Sequence, residues 1–555
     1  MSEAAVGSKT KLPDSWAVAA IGEVASMSPK VDSSGIDESQ PVHFVPMAAV
    51  SENFGGINIS QLRPFGEVRK GYTAFGEGDV LFAKITPCME NGKGALVPSL
   101  PQGHAFGSTE FHVLRASDAV QPKWLANYLA QEEFRKVARR NMTGTAGQLR
   151  VPGNWLAAAG IPVAPIAEQS RIVEKLEELL SDLDAGVAEL KAAQRKLTQY
   201  RQSLLKAAVE GALTADWRAA RETATTSASS SRRTPGSSTS PSAEQRQELD
   251  PGVRRDDDQN ETGTELLQRI LIERRARWEA KQQAKFVEQG KTPPAGWRAK
   301  YSEPLAPDAS DLPALPNGWV WASLDQLSDI QGGIQKQPSR KPVANKYPFL
   351  RVANVARGKL KLDDIHEIEL FDGELTRLTL QKGDVLIVEG NGSLTEIGRC
   401  ALWDGSVENA VHQNHLIRAR PILMESEFVE AWLNSLGGIE RLTKLAATTS
   451  GLFTLSVGKI SRIPVPLPPL EEQRVAVIVM RNALDEQSRQ ESAVFQSLKQ
   501  AAAQRKNILK AAFAGQLVPQ DPFDEPASVL LARIRAERVA NTTKRGRKAK
   551  EPSHA

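Results

Sequence analysis

The sequence predicts an α+β fold: two mixed α/β domains and two long helices packed on each other, arranged as a pseudo-two-fold tandem repeat. Three observations predict it. Short matches recur along the chain at nearly one offset. The front of each half reads as brief strands cut by turns. The back of each half carries a long helical stripe, and the two stripes are equal in length.

The repeat comes first because it organises everything else. "LPDSW" at Leu12–Trp16 returns as "LPNGW" at Leu315–Trp319, an offset of 303, and "GDVL" at Gly78–Leu81 returns at Gly383–Leu386, an offset of 305. "HVLR" at His112–Arg115 aligns with "HLIR" at His415–Arg418, again at 303. Glu168-Gln169 returns at Glu472-Gln473, and "LLKAAVEGAL" at Leu204–Leu213 returns as "ILKAAFAGQL" at Ile508–Leu517, both at 304. Collinear matches at one spacing mark a duplicated unit.

In the front parts, β-branched and aromatic runs are interrupted by Gly, Pro, Asn and Asp, as in "FGEGDVLFAKITPCMENGKGALV" and "LQKGDVLIVEGNGSLTEIGRCALW". These read as short, turn-rich strands with one or two helices, such as Pro122–Arg140 and Ser426–Leu445. Each front part ends in a proline-rich junction, "IPVAPIAEQ" at Ile161–Gln169 and "IPVPLPPLEEQ" at Ile463–Gln473. Prolines stop the extended segment, and Glu168, or Glu471 and Glu472, then suit the positive end of the helix that follows.

The first long helix shows a seam of Ile172, Leu176, Leu179, Leu183, Val187, Leu190, Leu197 and Leu204. The second offers Ile478, Leu484, Val494, Leu498, Ile508 and Ala512, a sparser stripe. Gln169 to Lys206 and Gln473 to Lys510 are both 37 positions apart, so each helix extends on the order of 55 Å. Equal length suits a spacer bar in which each helix is the other's partner.

Between the halves, "ATTSASSSRRTPGSSTSPS" at Ala224–Ser242 is too poor in apolar groups to pack, so residues 215–261 read as a linker. Order resumes at Thr262–Lys281, a capped basic helix whose pattern recurs at Val529–Arg538. Leu213 to Leu267 is 54 positions and Leu517 to Leu531 only 14, so the first copy carries an insertion of 40.

Composition narrows the function. With 70 basic against 66 acidic residues, the net charge of +4 permits a nucleic-acid partner without requiring one. Two cysteines, Cys88 and Cys400, form neither a disulfide framework nor a metal-ligand spacing. No apolar signal core opens the chain, and the run Val475–Met480 is too short to cross a bilayer. The expectation is a cytoplasmic protein with no membrane partner.

Catalytic motifs are missing. There is no phosphate-binding loop of the Walker type, no serine elbow and no helical His-Glu-x-x-His. "FGEGD" at Phe75–Asp79 looks like a nucleotide-binding glycine turn, but its copy "LQKGD" lacks the paired glycine, so a β-turn before a strand is expected. His412 and His415 are three apart in a strand-like segment, which suits hydrogen bonding better than a metal; no metal site and no catalytic residue is assigned.

Binding features are present twice. The first mixed domain carries Arg63, Arg69, Lys70, Tyr72, Lys84 and Lys93 in its loops. The second carries Lys336, Gln337, Arg340, Lys341, Arg357, Asn391, Arg399, Gln413 and Asn414. Arg and Lys neutralise phosphates or reach guanine edges, and Asn and Gln bridge adenine. The pattern points to a nucleic-acid partner, which the resemblance below makes double-stranded DNA. The basic run "KRGRKAK" at Lys544–Lys550 reads as a solvated tail.

With the twin junctions, the helices ending in "LLKAA" and "ILKAA", "GDVLFAKITPCMENGKGAL" and "HQNHLIRAR" on the page, the sequence resembles the specificity subunits of type I restriction–modification systems. The resemblance covers nearly the whole chain outside the Ser-rich insertion. It implies target-recognition domains at 1–165 and 313–467, conserved spacer helices at 166–214 and 468–518 forming an antiparallel pair, a helical lead-in at 262–312 and a C-terminal segment at 519–555. It implies two methyltransferase subunits that use S-adenosylmethionine, and restriction subunits that translocate with ATP and Mg2+, with no cofactor held by this chain. Under that reading Glu168, Gln169, Leu176, Leu183, Leu190, Leu197, Glu472, Gln473, Leu484, Leu498 and Ile508 belong to the spacer helices and their docking surface. Frame residues recur but loops do not, so the two domains should read different half-sites of a nonpalindromic bipartite target. The competing reading is a two-headed coiled-coil scaffold for proteins. A third is an enzyme whose site has no recognisable motif.

Overall fold

The computed structural model describes residues 11–145, 147–231, 261–394, 396–449 and 452–548. They form two compact units that cut across the repeat. One contains the chain up to Ala192 together with the segment from Val494 onward; the other is Ala193–Ala493.

In the first unit, strand Ala17–Ala20 pairs antiparallel with the junction strand Gly160–Val163, Ala17 opposite Val163. A four-stranded sheet runs in the order Ala25–Met27, Phe111–Ala116, Val80–Ala83, Gly94–Leu96. A second sheet runs Leu62–Pro64, Pro41–Val45, His104–Gly107, Thr73–Gly76. The second unit repeats the plan. Val320–Ser323 pairs with the junction strand Pro464–Leu467, and the sheet Ser328–Gly332, Leu416–Pro421, Val385–Val388, Cys400–Leu402 has the same order.

The "GDVL" motif explains its own recurrence. Gly78 and Gly383 sit at φ +78° and +91°, which a side chain rarely adopts. The aspartate that follows is buried in both. Asp79 accepts from Gly76 N at 2.7 Å and from Arg115 at 2.7 and 2.8 Å. Asp384 accepts from Gln381 N at 2.7 Å and from Arg420 at 2.6 and 2.7 Å. The turn is thus a β-turn locked by a two-point ion pair, with no phosphate-binding geometry.

These pairs correct the alignment of "HVLR" with "HLIR". The partner of Arg115 in the repeat is Arg420, not Arg418, because Leu114 faces Val80 as Ala419 faces Val385. A two-residue slip keeps every side chain on its own face of the strand, so the pattern alone does not detect it.

Each of the two helical spans is a pair of helices. Pro122–Leu129 is followed by Glu132–Arg140, and Ser426–Asn434 by Leu436–Leu445. In the second pair, Ser435 accepts a hydrogen bond from Gly438 N at 3.2 Å and so starts a new helix.

The long helices span Ile166–Val209 and Leu470–Ala512. Within the first unit, Ile172, Val173 and Leu176 share a core with Leu509, Ala512 and Phe513, and Asp184 pairs with Arg505. Within the second, Leu204, Leu205, Ala208 and Val209 share a core with Ala476, Val477 and Met480, and Gln487 donates to Leu197 O at 3.1 Å. In each unit, rising numbers on one helix meet falling numbers on the other, so the pairing is antiparallel.

The seam needs one correction. Ile478 is 56% exposed, while Val477 and Met480 are buried. At an offset of 304 its counterpart is Glu174, also exposed. Leu179, Leu183, Val187, Leu190 and Leu197 are only half-buried.

Regular helix also enters the expected linker, over Ala215–Ser231, consistent with the helix-forming run "ADWRAARETA". Residues 232–260, the remainder of that linker up to Asn260, lie outside the described residues. After Thr262 caps Gly263–Glu288, Gly263 N donates to Gly318 O at 2.7 Å in the second unit. Ala527 N, opening Ala527–Lys548, donates to Ser15 O at 2.9 Å in the first. Each tail helix therefore closes the unit built around the mixed domain of the other half. Ala549 and Lys550, which end the basic run, lie outside the described residues.

Candidate nucleic-acid interface

The recognition candidates sit on sheet ends fixed by the frame, and they fall into groups. In the first unit, Arg63, Arg69, Lys70 and Tyr72 come together around the short helix Phe65–Val68. The Arg63 guanidinium lies 4.1 Å from the Phe44 ring centroid and Tyr72 meets the same ring edge-on at 5.0 Å. Arg69 pairs with Glu38 at 2.8 Å, and Lys70 is exposed. This is an aromatic–cationic surface able to meet a sugar–phosphate backbone.

Lys84 and Lys93 lie elsewhere, at the end of the Val80–Ala83 strand. Lys93 is taken up structurally: its Nζ donates to Met47 O at 3.1 Å. Arg399 holds the same place in the second unit, where it donates to Val355 O at 2.6 Å and Val352 O at 3.0 Å. Ala83 N to Lys93 O and Val388 N to Arg399 O, both 3.0 Å, show that the positions correspond. Both side chains tie down turns through main-chain carbonyls, which fixes their position, and Arg399 is also paired with Glu396 at 3.0 Å.

In the second unit, Lys336, Gln337 and Lys341 are exposed, but Arg340 is not free. It forms a two-point pair with Glu374 at 2.8 and 2.9 Å and lies 4.5 Å from the Phe371 ring centroid. That guanidinium holds the Glu374 carboxyl down at about 2. Arg357 is part-buried and donates to Asn434 Oδ1 at 3.3 Å. Gln413 bridges to Ile334 and Asn414 N donates to Ile334 O at 2.9 Å, which brings both beside the Lys336–Gln337 loop. Asn391 pairs through its backbone with Phe453.

Two features escape sequence reading. Hairpins Thr143–Thr145/Gln148–Arg150 and Ala447–Thr449/Leu452–Thr454 adjoin the ends of the two central strands. The matched offset of "TGT" and "ATT", 304, is the available signal. The other is a set of charged groups at those strand ends, Glu110, Arg150 and Glu389, with His415 beside the last of them. Arg150 forms a two-point pair with Glu110 at 3.0 and 2.8 Å. His415 Nδ1 stands 3.8 Å from Glu389.

The histidines do not form a metal site. His412 is buried and donates through Nδ1 to Leu416 O at 3.0 Å; burial brings it down to about 4, so it is neutral. His415 is exposed beside Glu389. Among the described residues no group of three His, Cys, Asp or Glu could hold a metal, and no helix is long and apolar enough to cross a membrane.

The junction residues face inward. Glu168 accepts from Trp16 Nε1 at 3.0 Å and Gln520 Nε2 at 2.6 Å. Glu472 accepts from Trp319 Nε1 at 2.8 Å, Thr214 Oγ1 at 2.6 Å and Arg218. Gln169 and Gln473 each accept one main-chain N–H, from Gln121 and Glu425 at 3.0 Å, and donate to the carbonyls of Ala164 and Pro468. All four are buried, so they brace the strand-to-helix corner and present no docking surface. Leu176 is buried too; Leu183, Leu190, Leu197, Leu484, Leu498 and Ile508 are half-buried.

No family model matches the chain. It is similar to the type I restriction enzyme EcoAI specificity subunit of Escherichia coli, at 31% identity over 389 residues. That match covers 68% of this chain and 62% of the relative, less than two thirds of its length. The EcoEI specificity subunit of Escherichia coli is 27% identical over 479 residues, 83% of this chain and 76% of that protein. A chain solved in work on assembly and conformational transition of the type I R-M system superposes with TM-score 0.58 at 19% identity. It covers 91% of this chain and 99% of its own, which is a likeness of fold.

Proposed function

The chain belongs to the family of type I restriction-enzyme specificity subunits, and from that premise we propose that it reads a bipartite, nonpalindromic DNA sequence. Each mixed domain reads one half-site, the paired long helices set the distance between the half-sites, and the chain itself performs no chemistry. The observation that carries this reading is a frame whose fixing bonds recur, with loops that are not repeated. Asp79–Arg115 recurs as Asp384–Arg420 and Trp16–Glu168 as Trp319–Glu472, while "AKITPCMENGKG" stands where "VEGNGSLTEIGR" does. One scaffold carrying two readers suits two different half-sites.

The partners in this proposal are double-stranded DNA, two methyltransferase subunits that use S-adenosylmethionine, and restriction subunits that use ATP and Mg2+. In this proposal the half-buried leucines of the long helices, Leu183, Leu190 and Leu498 in the first unit and Leu197 and Leu484 in the second, meet the methyltransferase subunits. A four-residue insertion within 182–196 lengthens the helix by ~6 Å. In cells with the partner subunits, the target's spacer should then grow by one or two base pairs (~3.4 Å each) with unchanged half-sites; altered half-sites would refute the spacer role. A protein scaffold would bind no DNA, so steep loss of DNA binding with rising salt separates the two readings.

A further inference from the structure

The same place in the two frames carries opposite charge. Lys84 N donates to Glu110 O and Glu389 N to His415 O, both at 2.9 Å. Lys84 O accepts from Val151 N at 2.8 Å and Glu389 O from Leu455 N at 2.7 Å. Each residue therefore ends the central strand of its sheet and meets the hairpin beside it through equivalent main-chain bonds. Main-chain bonds fix where a side chain starts, so the two side chains leave equivalent points of the fold.

Their hydrogen-bonding sense is reversed. Beside Lys84 the one carboxylate, Glu110, is occupied by Arg150, and among the described residues the Lys84 ammonium makes no hydrogen bond. It remains a donor. The Glu389 carboxylate is 28% exposed and the His415 ring beside it, at 3.8 Å, is beyond hydrogen-bond reach. Burial raises its pKa, which shows how little stabilises the charge, with His415 working weakly the other way. A part-buried carboxylate without a donor is costly, and against a phosphate backbone it is repelled. A base amino group supplies the missing donor: cytosine N4 or adenine N6. An ammonium at the equivalent point meets the opposite pattern, the O6 and N7 acceptors of guanine.

We propose that Lys84 and Glu389 are matched specificity-determining residues, the first reading an acceptor-bearing base in one half-site and the second an amino-bearing base in the other. This rests on the DNA-reading function proposed above.

The test is selection from a randomised duplex library by the full chain. Wild type should enrich two half-sites. Glu389→Ala should relax one position of one half-site by roughly tenfold and leave the other half-site intact; Lys84→Ala should do the converse. Glu389→Lys should switch the preferred base at that position to guanine, a gain that misfolding does not produce. Unchanged base preferences in all three variants, or a uniform loss across both half-sites in each, would overturn the assignment. If wild type enriches no motif, the DNA-reading function itself falls, and this inference with it.

Discussion

Glu168 and Glu472 occupy the same corner of the two units and are closed by different chemistry. Both accept a tryptophan indole N–H. Glu168 is completed by the neutral amide of Gln520, and the nearby Arg171 is engaged with Asp524 at 2.7 Å. Burial accordingly raises the Glu168 pKa. Glu472 is completed by the Arg218 guanidinium and the Thr214 hydroxyl. The tryptophan and glutamate belong to the repeated frame, whereas Gln520 and Arg218 come from the segments that follow the long helices. Duplication kept the corner, and each following segment found its own way to satisfy a buried carboxylate.

That contrast sets the largest expected effect. Arg218→Ala leaves Glu472 buried beside neutral groups only and should destabilise the second unit by about 3 kcal/mol. Gln520→Ala removes one hydrogen bond from Glu168 and should cost the first unit about 1 kcal/mol. Denaturant unfolding, with hydrogen exchange assigning the loss to a unit, reads both. Equal losses would erase the distinction.

The helix ends should behave alike where the frame repeats. Leu176 and Met480 are counterparts, both buried, and alanine at either should cost about 2 kcal/mol or more. Ile478→Ala should change stability by no more than about 0.5 kcal/mol, since its side chain is largely in solvent. A large loss at Ile478 would restore the seam inferred from the sequence.

A titration separates the units more gently. Glu430 is buried in the second unit, where desolvation raises it to about 7, partly countered by Arg201. Its counterpart at an offset of 304 is Ala126, so the first unit lacks the group. A carboxyl raised in the folded state binds its proton more tightly there. Its contribution is complete below the ordinary value of 4.5 and is lost as pH rises through about 7. Wild type should therefore gain stability relative to Glu430→Gln as pH falls from about 7 toward 4.5, with protection rising only in the second unit. A flat difference would show that Glu430 is ionised throughout. Glu168→Gln should have only a small effect, within about 1 kcal/mol, because the amide keeps the corner filled and removes a charge that burial opposes.

Much of the fold is legible because duplication repeats its constraints. The turn glycines, the buried aspartates and the Glu-Gln corners recur since each satisfies a backbone or charge requirement that every copy inherits. What stays hidden depends on partners distant in sequence. Arg115 pairs with Asp79 across a sheet, and nothing local distinguishes Arg420 from Arg418 as its equivalent. Ile478 has the spacing of a core residue, and only the neighbouring helix shows which face is covered. The site is less legible than the fold. Lys93, Arg340 and Arg399 have the residue types of DNA contacts but are engaged within the chain, while Glu389 escapes notice because a carboxylate is an unexpected reader of DNA.

The central claim is that one scaffold reads two different half-sites. Mapping methylated adenines in DNA from cells that carry this chain with its methyltransferase subunits tests it most directly. The account predicts one motif made of two unlike half-sites separated by a spacer of fixed length. A palindromic motif, or a single uninterrupted one, would contradict it.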